Sequence, residues 1–526
     1  MTIMAADGLA VEPLEVKRLL IGVAETYDLL VTMPSKGSCE LRATAHDSSS
    51  YASIWLGRGK PEPARRIPAP DLYHNMGELS LERVFALTPA GTMGMEDALV
   101  EAGVFDLPGM VGMKDMKGMK GMEMNHSAKK MPPSHSRSMK MANTSKKTVK
   151  AKHHKQMTME PGQSVIKEAG SGRSLPPWGK RFSYDFSLLS TDVSSNPRRA
   201  MDGGPSRPWP PYTRLRSVGK TSFDHKRPVR EIRLTLDGDM ERYVWLLNNR
   251  ALSEDDDILI KKGEVVRFIM INRTMMHHPM HLHGHFFRVL NGQGDHAPLK
   301  HTVDVTPMST TVIEFKANEF GDWFFHCHLL YHMKAGMARM VHYQGYEPLP
   351  EVTEVRSILY KESWCATVQY EVLSNMGEGM FTVFDTRSIF NLDWELGWQM
   401  VDEPEWEVTP SYSYYMNRFT SWFVGADILS REDESEKIRG VLGLNYLLPL
   451  NIETSAWLDS DAGFRVGMQK DWRLTPRLGL MTGALYDSHE RWEGSLGLSY
   501  MLNGNLSLVA RWHSDFAWGV GVKLSF

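Results

Sequence analysis

One thiol, three imidazoles and two thioethers fall within twelve residues just past the middle of the chain. The segment reads HCHLLYHMKAGM and contains these potential metal ligands: His326, Cys327, His328, His332 and Met337. Two imidazoles and one thiolate, with a weak axial thioether, form the ligand set of blue-copper electron-transfer sites. Soft sulfur favours Cu(I), whereas imidazole tolerates both oxidation states. The residue types and their spacing therefore predict a redox-active copper site.

A second histidine-rich segment lies about fifty residues earlier and reads HHPMHLHGH. Neither segment is decisive alone, because HxH occurs by chance and a His-Cys-His triplet also fits a fragment of a zinc site. In this order and spacing, the two segments together resemble the last cupredoxin domain of the multicopper oxidases.

The resemblance implies a copper type for each matching residue. His278, Cys327 and His332 match the type 1 copper ligands, and Met337 matches the axial type 1 ligand. His281 matches a type 2 ligand. The remaining matches are to ligands of the type 3 copper pair: His283, His326 and His328.

The alternation of ligands in HCH has a physical reason. Neighbouring side chains of an extended segment point to opposite faces, so Cys327 can bind type 1 copper while His326 and His328 reach a trinuclear cluster on the other side. The resemblance implies that an electron crosses this short covalent path and that dioxygen is reduced to water at the cluster. We therefore expect Cys327, His326 and His328 to be the catalytic residues.

Other histidines lie nearby without matching a ligand position. They are His277, His285, His296, His301 and His342. For each of them, a surface or supporting role is favoured over metal binding. Met333 stands where some bacterial relatives carry an acid implicated in proton delivery, so the resemblance implies that another group fills that role here.

The bulk composition is that of a folded chain of several domains. Its 526 residues allow two to four domains, and 42% hydrophobic with 23% charged residues permit most of it to fold. A net charge of −3 gives no reason to expect nucleic acid as a partner. Three cysteines, Cys39, Cys327 and Cys365, do not make a disulfide framework.

Residues 1–60 resemble the closing strands of the middle cupredoxin domain of copper-resistance multicopper oxidases, through ADGLAVEPLEV and IGVAETYDLLV. Strands are expected at Leu19–Val23, Tyr27–Thr32 and Glu40–Ala45. The opening residues lack the basic and apolar regions of a signal peptide, and no run of 18 apolar residues predicts a transmembrane helix. We expect this chain to be the downstream part of a longer reading frame.

Residues 61–107 are interpreted as a linker with a short helix near Leu79–Phe85, and residues 108–160 as a low-complexity copper-binding tract. Its methionines recur every third residue among glycines and lysines, which oppose a stable buried helix. A flexible chain rich in thioethers can wrap Cu(I), which favours copper recruitment over an inert linker. The candidate recruitment residues are Met110, Met113, Met116, Met119, Met122, Met124 and His126.

Residues 161–350 are expected to form the C-terminal cupredoxin domain, a Greek-key β-sandwich. ERYVWLLN followed by TMMHHPMHLHGH resembles the copper-resistance branch of the multicopper oxidases. Its strands are predicted at Glu231–Leu236, Tyr243–Leu247, Glu264–Asn272, His301–Val305, Thr311–Phe315 and Trp323–His326.

Residues 351–526 alternate apolar with small or polar residues over runs of about ten residues. Examples of the apolar positions are Leu392, Trp394, Leu396, Ile438, Leu442, Leu444, Trp492, Leu496, Leu498, Trp518, Val520 and Val522. About twelve such segments favour an outer-membrane antiparallel β-barrel over a soluble sandwich. NYLLPLNIETSAWLDSDAGFRVGMQKDWRLTPRLGL and LVARWHSDFAWGVGVKLSF resemble the copper resistance protein B family.

The chain therefore resembles a copper-resistance multicopper oxidase of the copper resistance protein A type that lacks the first cupredoxin domain and is joined to a barrel. The family's first domain supplies four histidines through HxHG and HxH motifs, and neither motif occurs outside the third domain here. The overall expectation is an all-β chain with a complete type 1 site and half of a trinuclear cluster. Type 2 and type 3 copper are expected only if the missing ligands are supplied.

Three functions remain open. The first is a copper-dependent oxidase of Cu(I) or phenolic substrates with dioxygen as acceptor. The second is a copper-sequestering envelope protein without oxidase activity, anchored by the barrel. The third is a barrel transporter whose cupredoxin module is incidental. The expected partners are copper ions, outer-membrane lipid and a polypeptide carrying the first cupredoxin domain, and the expected location is the bacterial periplasm and outer membrane.

Overall fold

The computed structural model describes residues 1–46, 50–65, 67, 95, 97–107, 210–223, 229–239, 244–255, 257–274, 276–417, 419–431, 434–448, 452–475, 477–489 and 491–526. The predicted methionine-rich tract at 108–160 and the predicted helix near Leu79–Phe85 lie outside the described residues. Among the residues that are described, no helix is both long and apolar enough to cross a bilayer.

The chain begins with a three-stranded antiparallel sheet. Its strands are β1 (Thr2–Ala6), β2 (Leu9–Glu15) and β3 (Tyr27–Leu30), in the order β2-β1-β3. Asp7 and Gly8 join β1 to β2 with φ of 47° and 79°. Positive φ at both residues of a two-residue loop defines a type I′ turn, for which Asp-Gly is a preferred pair.

The strand predicted at Leu19–Val23 is wrong, since this segment has no regular structure. The Glu25 carboxylate accepts a hydrogen bond of 2.8 Å from the Gly22 N–H, and the Glu25 N–H donates to the Gly22 carbonyl. Ala24 takes a left-handed φ of 68°. These local contacts close a tight turn, which overrides the β-propensity of the apolar residues.

A second three-stranded sheet follows, in the order β5-β4-β6. Its strands are β4 (Gly37–Thr44), β5 (Tyr51–Arg58) and β6 (Pro61–Glu62). A one-turn helix, α1 (Asp97–Glu101), comes next among the described residues. Val100 of this helix and Phe105, which follows it, pack with Ile269, Ile271 and Val312 of the next unit.

Two mixed sheets form the next unit, one of six strands and one of five. The six-stranded sheet has the order β13-β12-β15-β10-β7-β8, and the five-stranded sheet has the order β14-β11-β16-β17-β9. The bounds are β7 (Val229–Asp239), β8 (Val244–Leu247), β9 (Ile258–Ile260), β10 (Val265–Asn272), β11 (His278–Leu282), β12 (Phe287–Val289), β13 (Leu299–Lys300), β14 (Thr302–Val305), β15 (Thr310–Lys316), β16 (Asp322–Cys327) and β17 (Ala338–Tyr343).

One buried apolar cluster joins these two sheets. Phe268 of β10 makes edge-to-face contacts with Phe315 of β15 and with Phe325 of β16, at centroid distances of 5.3 and 5.1 Å. Ile3 and Val11 of the first sheet belong to the same cluster, so the first strands of the chain pack on the sandwich. Short helices complete the unit: α2 (Leu330–Lys334) and 3₁₀ turns at Pro211–Thr213, Leu252–Glu254 and Gly294–His296.

The last part of the described chain is a helix followed by a closed antiparallel barrel of twelve strands. The helix α3 (Pro350–Leu359) falls within the range predicted as barrel and was not predicted. The strands are β18 (Cys365–Leu373), β19 (Met376–Phe384), β20 (Ser388–Gly397), β21 (Glu405–Asn417), β22 (Thr420–Arg431), β23 (Glu434–Leu448), β24 (Ile452–Asp459), β25 (Phe464–Arg473), β26 (Leu478–Asp487), β27 (Arg491–Met501), β28 (Leu506–His513) and β29 (Ala517–Ser525).

Each barrel strand pairs with its neighbours in sequence, and β18 pairs with β29 to close the ring. The register of this last pair joins Gln369 to Ser525 and Leu373 to Gly521. The prediction of an all-β chain ending in a barrel of about twelve strands is confirmed.

The barrel turns its apolar side chains outward. Large apolar residues on its outer surface include Ile438, Leu442, Leu444, Leu458, Trp492, Leu496, Leu498, Trp518 and Val520. Charged side chains are buried on the other face, where Arg465 forms ion pairs with Asp427 at 3.2 Å and Asp487 at 2.9 Å. The small residues that alternate with apolar ones in the sequence therefore face the barrel interior.

Candidate metal centre

Two neighbouring strands of the five-stranded sheet position the histidine segments. β11 pairs antiparallel with β16, with Met280 opposite Cys327 and His281 opposite His326. His278 is the first residue of β11 and Cys327 is the last residue of β16. Because directly opposed residues in such a pair lie about 5 Å apart, this register brings both histidine segments to one end of the sheet.

The chain after Cys327 folds back on itself and returns Met337 to the same place. α2 carries His332, the Met337 N–H donates to the His332 carbonyl at 3.0 Å, and the Cys327 N–H donates to the Met337 carbonyl at 3.1 Å. Gly336 between them has φ of 118°, and a Cβ there would lie 2.7 Å from the Ala251 Cβ. Only glycine fits this position without movement of its neighbours.

Three potential ligand atoms converge on one point. Nδ1 of His278 and Nδ1 of His332 are 3.1 Å apart, and they lie 3.8 and 3.6 Å from Sγ of Cys327. All three residues are buried, and their ligand atoms lie within 4.8 Å of one another. Met337, whose carbonyl accepts a hydrogen bond from the Cys327 N–H, is also fully buried. A thiolate and two imidazoles at these separations can share one metal ion.

Neighbouring side chains fix the two imidazole rings of this triad. Thr274 Oγ1 lies 2.7 Å from Nε2 of His278, which leaves Nδ1 directed at Cys327. The indole of Trp245 stacks on His332 at 3.9 Å with an interplanar angle of 23° and meets His278 edge-on at 5.4 Å. Outer contacts of this kind set the orientation and the basicity of ligating histidines.

Burial sets the protonation states of the triad. Burial lowers the pKa of His332 to about 4 and, with the nearby His332, lowers the pKa of His278 well below its usual range. Burial also raises the pKa of the Cys327 thiol. Neutral imidazoles offer free lone pairs at pH 7, whereas the thiol requires a cation to lose its proton, so metal binding here would release a proton.

A second cluster contains four histidines on the other side of the HCH segment. The ring centroids of His281 and His283 are 4.8 Å apart, and those of His281 with His326 and with His328 are both 5.6 Å apart. Nε2 of His283 lies 3.2 Å from Nε2 of His326. Burial lowers the pKa of both His281 and His326 to about 4, so these imidazoles are neutral at pH 7.

The outer nitrogens of two rings in this cluster are held by backbone carbonyls. His281 Nδ1 donates to the His301 carbonyl at 2.8 Å, and His326 Nδ1 donates to the Cys327 carbonyl at 3.0 Å. Each Nε2 therefore carries a lone pair, and that of His326 faces Nε2 of His283. The buried Nδ1 of His328 has no hydrogen-bond partner among the described residues, as expected for an atom that binds a metal. His283 is exposed to solvent.

The five neighbouring histidines that match no ligand position each contact a partner within the sandwich. The contacts are His277 with Asp304, His285 with Tyr343, His296 with the Ser217 carbonyl, His301 with Thr302, and His342 with Asp322. Sequence reasoning missed other residues at the site, namely Trp245, Thr274, Thr302 and Asp7. The WLLN motif gave a weak indication that Trp245 lies near the site. The local sequence around Thr274, Thr302 and Asp7 gave no such indication.

The geometry agrees with comparisons to known proteins. The multicopper oxidase family description matches residues 225–345, a range that contains every residue of the triad and of the four-histidine cluster. A second model with the same description matches residues 1–52. Both segments are therefore similar to multicopper oxidase domains.

Two curated relatives of these multicopper oxidase segments are copper-resistance proteins. A copper resistance protein A homolog of Pseudomonas syringae pv. tomato is 30% identical over 341 residues, which are 65% of this chain and 50% of the relative. Copper resistance protein A of Escherichia coli is 31% identical over 342 residues, which are 65% of this chain and 51% of the relative. The chain thus spans about half the length of the curated relatives it matches.

Solved multicopper oxidase structures also match a part of the chain. The McoA multicopper oxidase of Aquifex aeolicus is 25% identical with a TM-score of 0.22, over 24% of this chain and 31% of that chain.

Proposed function

We propose that this chain is a copper-binding protein of the bacterial envelope, of the multicopper oxidase type, that oxidises Cu(I) or a phenolic substrate. The observation that carries the proposal is the buried convergence of His278, Cys327 and His332 on one point. Its relatives are copper-resistance proteins, which supports copper tolerance as the physiological role.

The donor set fits copper of type 1. One soft thiolate and two imidazoles suit a metal that alternates between Cu(I) and Cu(II), and Met337 is placed to supply the axial thioether. A bound copper ion would supply one-electron redox chemistry there. The rigid surroundings, with Trp245 stacked on His332 and Thr274 at His278, hold the ligands in one arrangement in both oxidation states.

The four-histidine cluster fits half of a trinuclear centre. His281 is proposed as the type 2 ligand, and the type 3 ligands are proposed to be His283, His326 and His328. His326 and His328 flank Cys327 in the chain, so one covalent path joins the two centres. The sequence supplies no HxHG or HxH motif elsewhere, so we propose that a separate polypeptide provides the remaining histidines for dioxygen reduction.

A second candidate function is copper sequestration without oxidase activity. The observation that favours it is the exposed His283, which leaves the four-histidine cluster accessible from one side. The methionine-rich residues 108–160 are proposed to recruit Cu(I) for either function, through Met110, Met113, Met116, Met119, Met122, Met124 and His126.

We further propose that the barrel lies in the outer membrane. Its outer surface carries Leu442, Leu444 and Leu498, whereas the ion pairs of Arg465 lie on its interior face. This polarity matches a bilayer outside the barrel, because charges on a lipid-facing surface are costly. We propose five segments: a partial middle cupredoxin domain at 1–60, a linker at 61–107, a copper-binding tract at 108–160, a cupredoxin domain at 161–350 and the barrel at 351–526.

The test is copper stoichiometry, visible absorption and oxygen consumption on the purified full chain. An intense blue absorption band with bound copper supports the type 1 assignment, and Cys327→Ser must abolish that band while the chain still folds. A chain that shows no blue band under saturating copper would overturn the assignment.

Oxygen consumption separates the two candidate functions. We expect the chain alone to bind copper without consuming oxygen, and to consume oxygen with a phenolic substrate once a polypeptide carrying the first cupredoxin domain is added. Failure of that addition to produce oxygen consumption, with the blue band intact, would favour sequestration over oxidation.

A further inference from the structure

Asp7 lies in the β1–β2 turn, far before the first histidine of either cluster, His278, in the sequence, yet its carboxylate is completely buried against the sandwich. Its φ of 47° is typical of a type I′ turn, which favours Asn, Asp and Gly. A turn residue of this kind normally faces solvent, so burial of a charged carboxylate at this position requires a specific set of partners.

The two carboxylate oxygens of Asp7 have different partners. Oδ1 accepts a hydrogen bond from the Thr26 N–H at 2.9 Å, which closes the first sheet on itself. Oδ2 accepts from the backbone N–H groups of His301 at 3.0 Å and Thr302 at 3.3 Å. Asp7 therefore holds the peptide that joins β13 to β14.

That same peptide orients His281. The His301 carbonyl accepts a hydrogen bond from Nδ1 of His281 at 2.8 Å, and Thr302 Oγ1 lies 3.0 Å from the same nitrogen. A carbonyl is only an acceptor, so this contact places the proton on Nδ1 and leaves the Nε2 lone pair free. Displacement of residues 301–302 would release the ring.

Lys300 balances the charge at this point. Its buried ammonium lies 3.2 Å from Oδ2 of Asp7 and 3.3 Å from Oε1 of Glu25. Glu25 is also buried, but its side chain contacts Gly22, Tyr27 and Lys300 rather than the backbone of residues 301–302. Glu25 thus shares the ion cluster with Asp7 but not the contact that leads to His281.

We propose that Asp7 is a positioning residue that fixes the orientation of the His281 imidazole. A residue of the first sheet thereby orients one proposed ligand of the four-histidine cluster in the sandwich. The orientation of the ring does not depend on bound metal, but its consequence for copper rests on the function proposed above. An alternative is that Asp7 serves only the turn.

The substitution Asp7→Asn separates these alternatives. Asn is at least as suitable as Asp in a type I′ turn, so the β1–β2 hairpin is retained. An amide cannot accept hydrogen bonds on both sides, so its NH₂ group must face either the Thr26 N–H or the N–H groups of residues 301–302, and one of these contacts is lost. The matched control is Glu25→Gln, which removes the other carboxylate charge beside Lys300 without removing a contact to residues 301–302.

The first measurement uses the metal-free full chain. Histidines are modified with diethyl pyrocarbonate, and the modification rate of His281 is followed by mass spectrometry, with His296 as an internal reference. We expect His281 to react faster in Asp7→Asn than in the wild type or in Glu25→Gln. Equal rates in Glu25→Gln and in both Asp7→Asn and Asp7→Gly would overturn the proposal, whatever the copper content.

The second measurement is copper binding by the full chain, followed by electron paramagnetic resonance and by the blue absorption band. In Asp7→Asn we expect copper affinity at the four-histidine cluster to fall about 10- to 100-fold, as is usual for loss of an outer-shell partner, with the blue band unchanged. If the wild type binds no copper at the cluster, the proposed function fails, whereas a faster reaction of His281 still supports the role of Asp7.

A second variant guards against misfolding of Asp7→Asn. Asp7→Gly suits the left-handed turn without a side chain and removes every carboxylate contact. It must reproduce the faster modification of His281 with the blue band retained. A slow reaction of His281 in this folded variant would also overturn the proposal.

Discussion

The sandwich and the barrel use the same alternating β pattern with opposite polarity. In the sandwich, Phe268, Phe315 and Phe325 meet in the interior. In the barrel, Leu442 and Trp492 face outward, and Arg465 is buried on the interior face. Alternation alone therefore does not state which face is the core, because the surrounding solvent decides where apolar side chains are stable.

The two regions also differ in what their buried polar groups do. Buried histidines in the sandwich offer lone pairs to a metal ion, and the buried thiol of Cys327 keeps its proton until a cation displaces it. Buried charges in the barrel neutralise one another, as when Arg465 pairs with Asp427 and Asp487. The sandwich thus has a reactive interior, whereas the described part of the barrel interior is held together by ion pairs.

The largest effect is expected for Arg465→Met in the barrel. Removal of this cation leaves Glu407, Asp427 and Asp487 without a main partner, which costs about 3–5 kcal/mol for a buried pair. Urea unfolding of the full chain in detergent micelles measures this loss, and the blue band reports separately that the sandwich is intact. The exposed Arg214→Met is the control, and an equal effect of both variants would refute the interior network.

The next effect tests the outer face of the barrel. Leu442→Arg places a charge on the proposed lipid-facing surface and is expected to cost about 2–4 kcal/mol of stability in a bilayer. The matched substitution Leu259→Arg, at an exposed leucine of the sandwich, faces water and should change stability by about 0.5 kcal/mol or less. Folding into phospholipid vesicles measures both, and equal tolerance would show that the barrel surface is not in lipid.

A smaller effect is expected for Trp245→Phe in the sandwich. The substitution removes part of the ring surface stacked on His332, which lowers stability. It also removes the buried Trp245 Nε1, which has no hydrogen-bond partner among the described residues and is costly to bury. The free energy of unfolding should therefore fall by about 1 kcal/mol or less. Copper affinity of the triad should fall about tenfold, since outer contacts orient the ligands. Copper titration of the blue band measures this, with Trp398→Phe on the barrel as the control. Identical titrations would remove Trp245 from the site.

The smallest effect concerns the contact between the two regions. Arg387, in the β19–β20 turn, donates to both carboxylate oxygens of Glu254 and to the Asn249 carbonyl of the sandwich. A double-mutant cycle of Arg387→Ala with Glu254→Gln should give a coupling of about 0.2–1 kcal/mol, because both side chains are partly exposed to water. A coupling of zero would mean that this ion pair does not join the regions.

Several features of the fold were predictable because their causes are local. The period-two pattern of β27 and β29 predicts extended strands whatever their partners are. The helix α3 was not predicted, although Pro350 at its first turn is a helix-start signal. The strand expected at Leu19–Val23 failed because a hydrogen bond from Gly22 to Glu25 fixes a turn that no propensity records.

The site shows the same division. Cys327 and His332 lie five residues apart, so the sequence alone indicates that they could bind one metal ion. The second histidine segment adds His278 as a candidate ligand. The contact of Asp7 with the His301 N–H joins residues 294 positions apart, and Trp245 reaches His332 from another strand. Such contacts depend on how the sheets pack, which short segments do not determine.

The sequence by itself determined the ligand types, their spacing and the number of barrel strands, because these depend on side-chain chemistry and on backbone alternation. The tertiary structure decided which faces are buried and how the barrel closes between β18 and β29. It also brought Nδ1 of His278 within 3.1 Å of Nδ1 of His332. The physical reason is that strand register and sheet packing join residues distant in the chain, and only the folded molecule satisfies all those contacts at once.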